Sequence, residues 1–244
     1  AKELAKNLPA GLTGLSLMNN YIGAEGAKAL AGALPGSKIT TLNLGWNSLG
    51  CNEAIALAGA LRSSLITELN LMHNQIGDEG VKKLAKNLPA GLTVLDLEGN
   101  YIRDEGIVEL AKNLPAGLTV LNLEGNYIED KGAIALGGVL SRTLITELSF
   151  QLQDDGDLYD DFERIGDIGA IALAEGLPGS RITKLDLFDL NIGNAGAIAL
   201  AGVLPNSGIT KLNLGGNYIG AEGARALAGV LSNSVITALN LYDN

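Results

Sequence analysis

The sequence is poor in the residues that carry most site chemistry. One cysteine, Cys51, stands among 244 residues, so no internal disulfide can form and the chain is not a stapled secreted scaffold. One histidine, His73, joins it, and the pair cannot furnish a structural zinc site unaided. Aromatics make up only 4%, which leaves a core of Leu, Ile, Val and Ala. Basic residues number 17 against 27 acidic ones, a formal net charge of −10. A surface of that sign argues against nucleic acid and against anionic membrane. There is no Asn-x-Ser/Thr site, no apolar run of membrane-span length, and no signal-peptide stretch in the opening AKELAKN; a cytoplasmic location is expected. No Gly-Lys dipeptide exists, hence no P-loop, and no two glycines stand two apart, hence no Gly-x-Gly-x-x-Gly. No cofactor is expected.

What is present is repetition. Leu84 to Ile102 reads LAKNLPAGLTVLDLEGNYI and Leu110 to Ile128 reads LAKNLPAGLTVLNLEGNYI, differing only at Asp96 against Asn122. Units begin at Leu12, Ile39, Ile66, Leu92, Leu118, Ile145, Ile182, Ile209 and Ile236, with a spacing of 26 or 27 residues except for 37 between Ile145 and Ile182. Each unit has two halves. Leu118-Thr-Val-Leu121-Asn-Leu123 alternates apolar and polar residues, the period of a short strand. Gly80-Val81-Lys-Lys-Leu84-Ala85-Lys-Asn-Leu88 places apolar residues on one helical stripe. Pro35, Pro89, Pro115, Pro178 and Pro205 follow the last helical leucine and stop the helix there. Alternating strand and helix demand a parallel sheet covered by helices. Strands about 4.8 Å apart stacked against helices about 8–10 Å apart must curve, strands inside.

The pattern Leu-x-x-Leu-x-Leu-x-x-Asn-x-Ile-x-x-x-Gly-Ala-x-x-Leu-Ala-x-x-Leu resembles the ribonuclease-inhibitor type of leucine-rich repeat, shared by NOD-like-receptor repeats and the Ran GTPase-activating protein and found in bacterial effectors. The resemblance spans the chain in nine units, the last incomplete. It implies an α/β leucine-rich-repeat solenoid, a horseshoe with a parallel concave sheet and convex helices, that binds proteins by its concave face or rim. If the chain is a bacterial effector, its location is the host cytosol. Residues 1–244 are expected to be one domain and a fragment of a longer chain. The resemblance also implies that Asn20, Asn47, Asn74, Asn100, Asn126, Asn217 and Asn244 form a buried ladder, interrupted at Gln153 and Leu190.

Strand leucines from Leu15 to Leu239 should point into the core, and the residues between them, among them Asn43, Asn70, Asp96, Asn122, Ser149, Asp186 and Asn213, should face outward as a bland polar column able to make hydrogen bonds. The next outward column is varied: Met18, Gly45, Met72, Glu98, Glu124, Gln151, Phe188, Gly215 and Tyr242, flanked by Trp46, His73 and Asp189. An exposed Trp, two Met and a Phe on a polar face are either partner anchors or turn filler. Tyr21, Tyr101, Tyr127 and Tyr218 recur at one position and fit a stack along the rim. Glu98 and Glu124 sit in register, and two close carboxylates share a proton or hold a cation unless, exposed, they splay apart in water. His73 and Cys51 lack a third orienting group, so catalysis is not expected.

About ten extra residues fall in the sixth unit, roughly from Asp154 to Arg164, where the eleven-residue stretch DDGDLYDDFER carries six acids, one base and two aromatics. Its spacing fails the calcium-loop pattern, because Tyr159 and Asp160 occupy ligand places. The segment is either a solvated variable loop or a contact for a partner. The candidate partner-binding residues are therefore Trp46, Met72, His73, Glu98, Glu124, Gln151, Asp154, Asp155, Asp157, Tyr159, Asp160, Asp161, Phe162 and Phe188. They suit a protein with a basic and partly apolar patch. The chain is expected to be a monomer, with end-to-end association open at its uncapped ends. Two other functions stay open: GTPase activation of the Ran-activator type, for which no activating residue can be named, and a partner-free, engineered scaffold.

Overall fold

The computed structural model describes residues 1–151 and 164–244. Nine three-residue strands, β1 (Gly14–Ser16), β2 (Thr41–Asn43), β3 (Glu68–Asn70), β4 (Val94–Asp96), β5 (Val120–Asn122), β6 (Glu147–Ser149), β7 (Lys184–Asp186), β8 (Lys211–Asn213) and β9 (Ala238–Asn240), form one sheet in chain order. Every neighbouring pair is parallel, and the register sets leucine against leucine, as Leu95 against Leu121. The helices are α1 (Lys2–Lys6), α2 (Gly23–Ala33), α3 (Cys51–Leu61), α4 (Gly77–Ala85), α5 (Asp104–Lys112), α6 (Asp130–Leu140), α7 (Asp167–Gly176), α8 (Asn194–Val203) and α9 (Ala221–Leu231). Each packs on its neighbours in chain order. This is an α/β solenoid with strands lining the concave side and helices the convex side.

The core is one continuous column of Leu, Ile, Val and Ala running the length of the array. Leu42, Leu69, Leu95, Leu121, Leu148, Leu185 and Leu212 are buried, while Leu15 and Leu239 in the end strands are half-exposed. That difference is the repeat principle at work: a unit's apolar face is completed only by a unit on each side. Helix α4 ends at Ala85, short of the stripe's last residue Leu88. Asn87 stops it by donating its backbone N–H to Leu84 (2.8 Å) and its side-chain amide to the Lys83 carbonyl (2.9 Å).

Three hydrogen-bonded ladders join the units. In the first, Asn126 lies buried past β5; its Oδ1 accepts the backbone N–H groups of Asn100 (3.1 Å) and Ile102 (3.0 Å), and its Nδ2 donates to the carbonyls of Leu97, Leu123 and Glu124. Asn47, Asn74 and Asn217 repeat the arrangement. Leu190 fills its place in the row as a buried apolar residue. Asn20 and Asn244, at the two ends, are exposed.

The second ladder lies on the helix side. Asp78 Oδ1 accepts the N–H groups of Arg103 (2.8 Å) and Gly106 (3.1 Å) at the start of α5, one repeat onward. Asp104 does the same for α6, Asp130 for α7 and Asp167 for α8, while Asn194 accepts from Gly223 in α9. Helices α5 to α9 are thus capped by the preceding unit, and in α5 to α8 an acid meets the positive end of the dipole. A Cβ on Gly106 would fall 2.6 Å from Asp78 Oδ1, which is why glycine stands there.

Candidate functional site

The third ladder runs along the concave face. The central strand residues turn their side chains onto the backbone two residues ahead: Asp96 Oδ1 accepts the Glu98 N–H (3.1 Å), Asn122 Oδ1 that of Glu124 (3.0 Å) and Asp186 Oδ1 that of Phe188 (3.1 Å). They also reach sideways, Asn70 to Asp96 (2.7 Å), Asn122 to Glu98 (3.2 Å) and Asn213 to Asp186 (3.0 Å). The hydrogen bonds open to the outward column are therefore made within the sheet and its turns, and Asn122 is half-buried rather than exposed. Short polar side chains at a strand end satisfy the turn that follows.

Glu98 and Glu124 are held in place. Glu98 accepts from His73 Nε2 (2.9 Å) and from Asn122, and Glu124 accepts from the Ser149 hydroxyl. Burial raises the Glu124 carboxyl above the usual carboxylate range; the charges of Glu98, Asp186 and Asp96 add to the shift and the Ser149 bond opposes it. Burial raises Asp96 as well, with the Glu98 backbone bond working against it and the Glu98 charge with it. The middle of the concave face thus keeps partly desolvated negative charge. Towards the C-terminal end Lys184 pairs with Glu147 (2.6 Å) and Lys211 follows in the same column. A cavity of roughly 740 Å³ lies over β5 to β9, with Glu124, Ser149, Lys184, Asp186 and Lys211 on its wall. Among the described residues no cluster of His, Cys, Asp and Glu could hold a metal ion.

At the strand ends the chain turns through a left-handed residue. Gly99, Gly125 and Gly216 serve in three units, with φ of 61°, 62° and 67°, and Asn19, Asp189 and Asp243 in three more; the bulky rings of Trp46 (57°) and His73 (47°) serve in two others. The Trp46 and His73 rings stack with centroids 3.9 Å apart. Gly99 leaves room for the His73 ring, since a Cβ there would lie 2.6 Å from Nδ1. Trp46, His73, Glu98 and Asn122 therefore form one chain of contacts across four units. Trp46 keeps 47% of its surface exposed and Met18 42%. Met72 and Phe188 are half-buried instead of exposed, because Met72 leans on Gly45 and the Phe188 ring lies over Gly215. Five strand spacings, about 24 Å, separate the Phe188 strand from the Trp46 strand, so the expected anchors make two groups. Gln151 is half-buried beside the insertion. Asp154, Asp155, Asp157, Tyr159, Asp160, Asp161 and Phe162 lie outside the described residues. At the end of the insertion Arg164 pairs with Asp189. On the rim Tyr101 and Tyr127 stack with centroids 6.0 Å apart, while Tyr21 and Tyr218 are exposed. The signal that would have found the concave ladder was available, since Asn, Asp or Ser occupies this place in all nine strands, from Ser16 to Asn240.

A family model described as leucine-rich repeat matches residues 12–31, 62–85, 92–111, 118–137, 182–201 and 206–228, together more than half of the sequence. The chain belongs to the leucine-rich-repeat family. Among solved structures this leucine-rich-repeat protein is similar to one titled leiomodin-1 actin-binding site 2, at 20% identity and a TM-score of 0.45, over 57% of this chain and 78% of that one. It is also similar to a chain of the Rad7 and Elc1 complex from yeast, at 14% identity and a TM-score of 0.39, over 91% of this chain and 81% of that one. Likenesses this distant carry no argument about function. No curated protein matches the sequence. No helix among the described residues is long and apolar enough to cross a membrane.

Proposed function

We propose that this leucine-rich-repeat chain is a single-domain recognition module of the ribonuclease-inhibitor type that holds a partner protein, in the cytoplasm, on its concave face and its inserted segment. The observation that carries the reading is Trp46. A bulky residue in a left-handed turn costs about 1–2 kcal/mol, and glycine does the same work in three other units. Backbone strain retained at an exposed aromatic side chain is a mark of a binding position. Behind it, the partly desolvated carboxylates of Asp96, Glu98 and Glu124 favour a partner with a basic, partly apolar patch, attracted at long range and then aligned. Asp154 to Asp161 would add negative charge, and Tyr159, Phe162 and Phe188 apolar contact.

Trp46→Gly tests this directly. It relieves the turn, so stability should hold or rise by about 1 kcal/mol. Affinity for a partner captured from native lysate and then purified should fall at least about tenfold, about 1.4 kcal/mol. Deleting residues 154–163, which spares the Arg164–Asp189 pair, should slow association and flatten its dependence on salt. Unchanged affinity in both variants would move the binding surface elsewhere.

A further inference from the structure

The convex side carries a second surface that concave recognition does not use. Along each helix the solvent-facing positions follow a spacing of three and then four residues. In α2 they are Glu25, Lys28 and Gly32, in α4 Glu79, Lys82 and Lys86, and in α9 Glu222, Arg225 and Gly229. The middle position is charged in these helices, apolar in α3 (Ile55, 41% exposed) and α5 (Val108), and apolar again in the three adjacent helices α6, α7 and α8. Their outward residues are Lys131, Ile134 and Gly138, then Ile168, Ile171 and Glu175, then Ala195, Ile198 and Gly202. Ile134 is 48% exposed, Ile168 62% and Ile198 46%. Helix α8 contains no charged residue. A helix that is apolar on all sides belongs in an interior, and a contiguous apolar patch on a soluble surface marks an interface.

We infer that α6, α7 and α8 form a two-fold interface with a second copy of this chain, packed helix face to helix face. Self-complementarity identifies the occupant. Ile134, Ile171 and Ile198 occupy the same place in their units, each within Gly-Ala-Ile-Ala-Leu, so they form a row that crosses the three helices. A two-fold axis parallel to that row and just beside it sets the row against its own copy, an isologous contact. The small residues Gly138, Ala195 and Gly202 leave the ground around the row low enough for the isoleucines to interdigitate. The two charges among these nine described outward residues then fall into place. Lys131 lies one helical turn N-terminal to the row and Glu175 one turn C-terminal to it on the next helix. Rotation about this axis brings Lys131 of each copy to the same side as Glu175 of its mate, giving two opposite-charge pairs. Over the rest of a molecule with a net charge of −10, like charges oppose self-association; here they balance. The concave faces of both copies stay open, so the pair is bivalent for its partner.

The test is analytical ultracentrifugation of the 244-residue chain over a wide concentration range. The mass should rise from one to two chains with concentration. Ile134→Lys and Ile198→Lys should each raise the dimer dissociation constant at least tenfold with an unchanged melting temperature, because Lys28, Lys82 and Arg225 already occupy that position in folded units. Lys131→Glu should weaken the dimer, and Lys131→Glu combined with Glu175→Lys should restore it. A single-chain mass at every concentration, or a dimer indifferent to the two lysine substitutions, overturns the interface. Failure of the double charge exchange to restore association overturns the two-fold axis parallel to the isoleucine row.

Discussion

Two asparagines that look interchangeable in the sequence should differ sharply when each is replaced by alanine. Asn126→Ala removes the acceptor for the buried N–H groups of Asn100 and Ile102. Each orphaned donor costs about 1–3 kcal/mol, so the substitution should cost about 3–5 kcal/mol. Asn100 has the same three amide bonds, to Leu71, Leu97 and Glu98, but its buried Oδ1 has no partner. The preceding turn is built differently: Gln75 N–H goes to the Leu49 carbonyl, and Gly77 N–H to the Asn100 carbonyl rather than the side chain. All three acceptors of Asn100 keep another donor, Asn74 Nδ2 on Leu71, Asn126 Nδ2 on Leu97 and His73 N–H on Glu98. Asn100→Ala should therefore cost only about 1–2 kcal/mol. At 2–4 °C per kcal/mol for a domain of this size, the two melting temperatures should differ by about 4–8 °C. Urea denaturation with a check that the slope is unchanged gives the same comparison in free energy. Equal losses, or a larger loss at Asn100, would refute the assignment of the stabilisation to the Oδ1 acceptor.

Other consequences can be measured on the same protein. Glu124→Gln keeps a partner for Ser149 and removes a carboxylate whose folded-state pKa is raised. The folded protein then binds the proton more readily than the unfolded one, so Glu124 lowers stability once pH rises above its folded pKa. The variant should be more stable than the parent at neutral pH, with the gain disappearing as pH falls through the carboxylate range; urea melts across pH report it. Gly106→Ala places a methyl 2.6 Å from Asp78 Oδ1 and Val81 and should cost about 1–3 kcal/mol through overpacking, whereas Gly59→Ala, with open space around it in α3, should gain about 0.4–1 kcal/mol.

Periodicity made the architecture legible: strand leucines, helical stripe and parallel order are where the repeat places them. The asparagine ladder was legible through its resemblance to a known repeat. The concave surface was not, because alternation says which way a side chain points and nothing about what it bonds. Asp96, Asn122 and Asp186 point outward as expected yet fold back on their own turns. Phe188 and Met72 were misread as exposed because the glycines they lean on, Gly215 and Gly45, belong to neighbouring units. The stacking of Trp46 on His73 depended likewise on the distance between columns, which a single chain of letters does not contain. The helix caps went unread for the same reason: Asp104 looks like an ordinary first-turn acid of α5, and its partners are in α6.

Those caps bear on how such a chain grows. A unit of the Asp104 kind carries an acid for the helix that follows and, in its own third helical position, a glycine that receives the acid before it. Copying one unit in the gene therefore copies both halves of a joint, and the new neighbour fits at either side without a compensating change. Where Ala24 and Cys51 replace the acid, the following helix lacks that link. Insertions of whole units should be tolerated best between Asp78 and Asp167, the stretch in which every joint has matching halves.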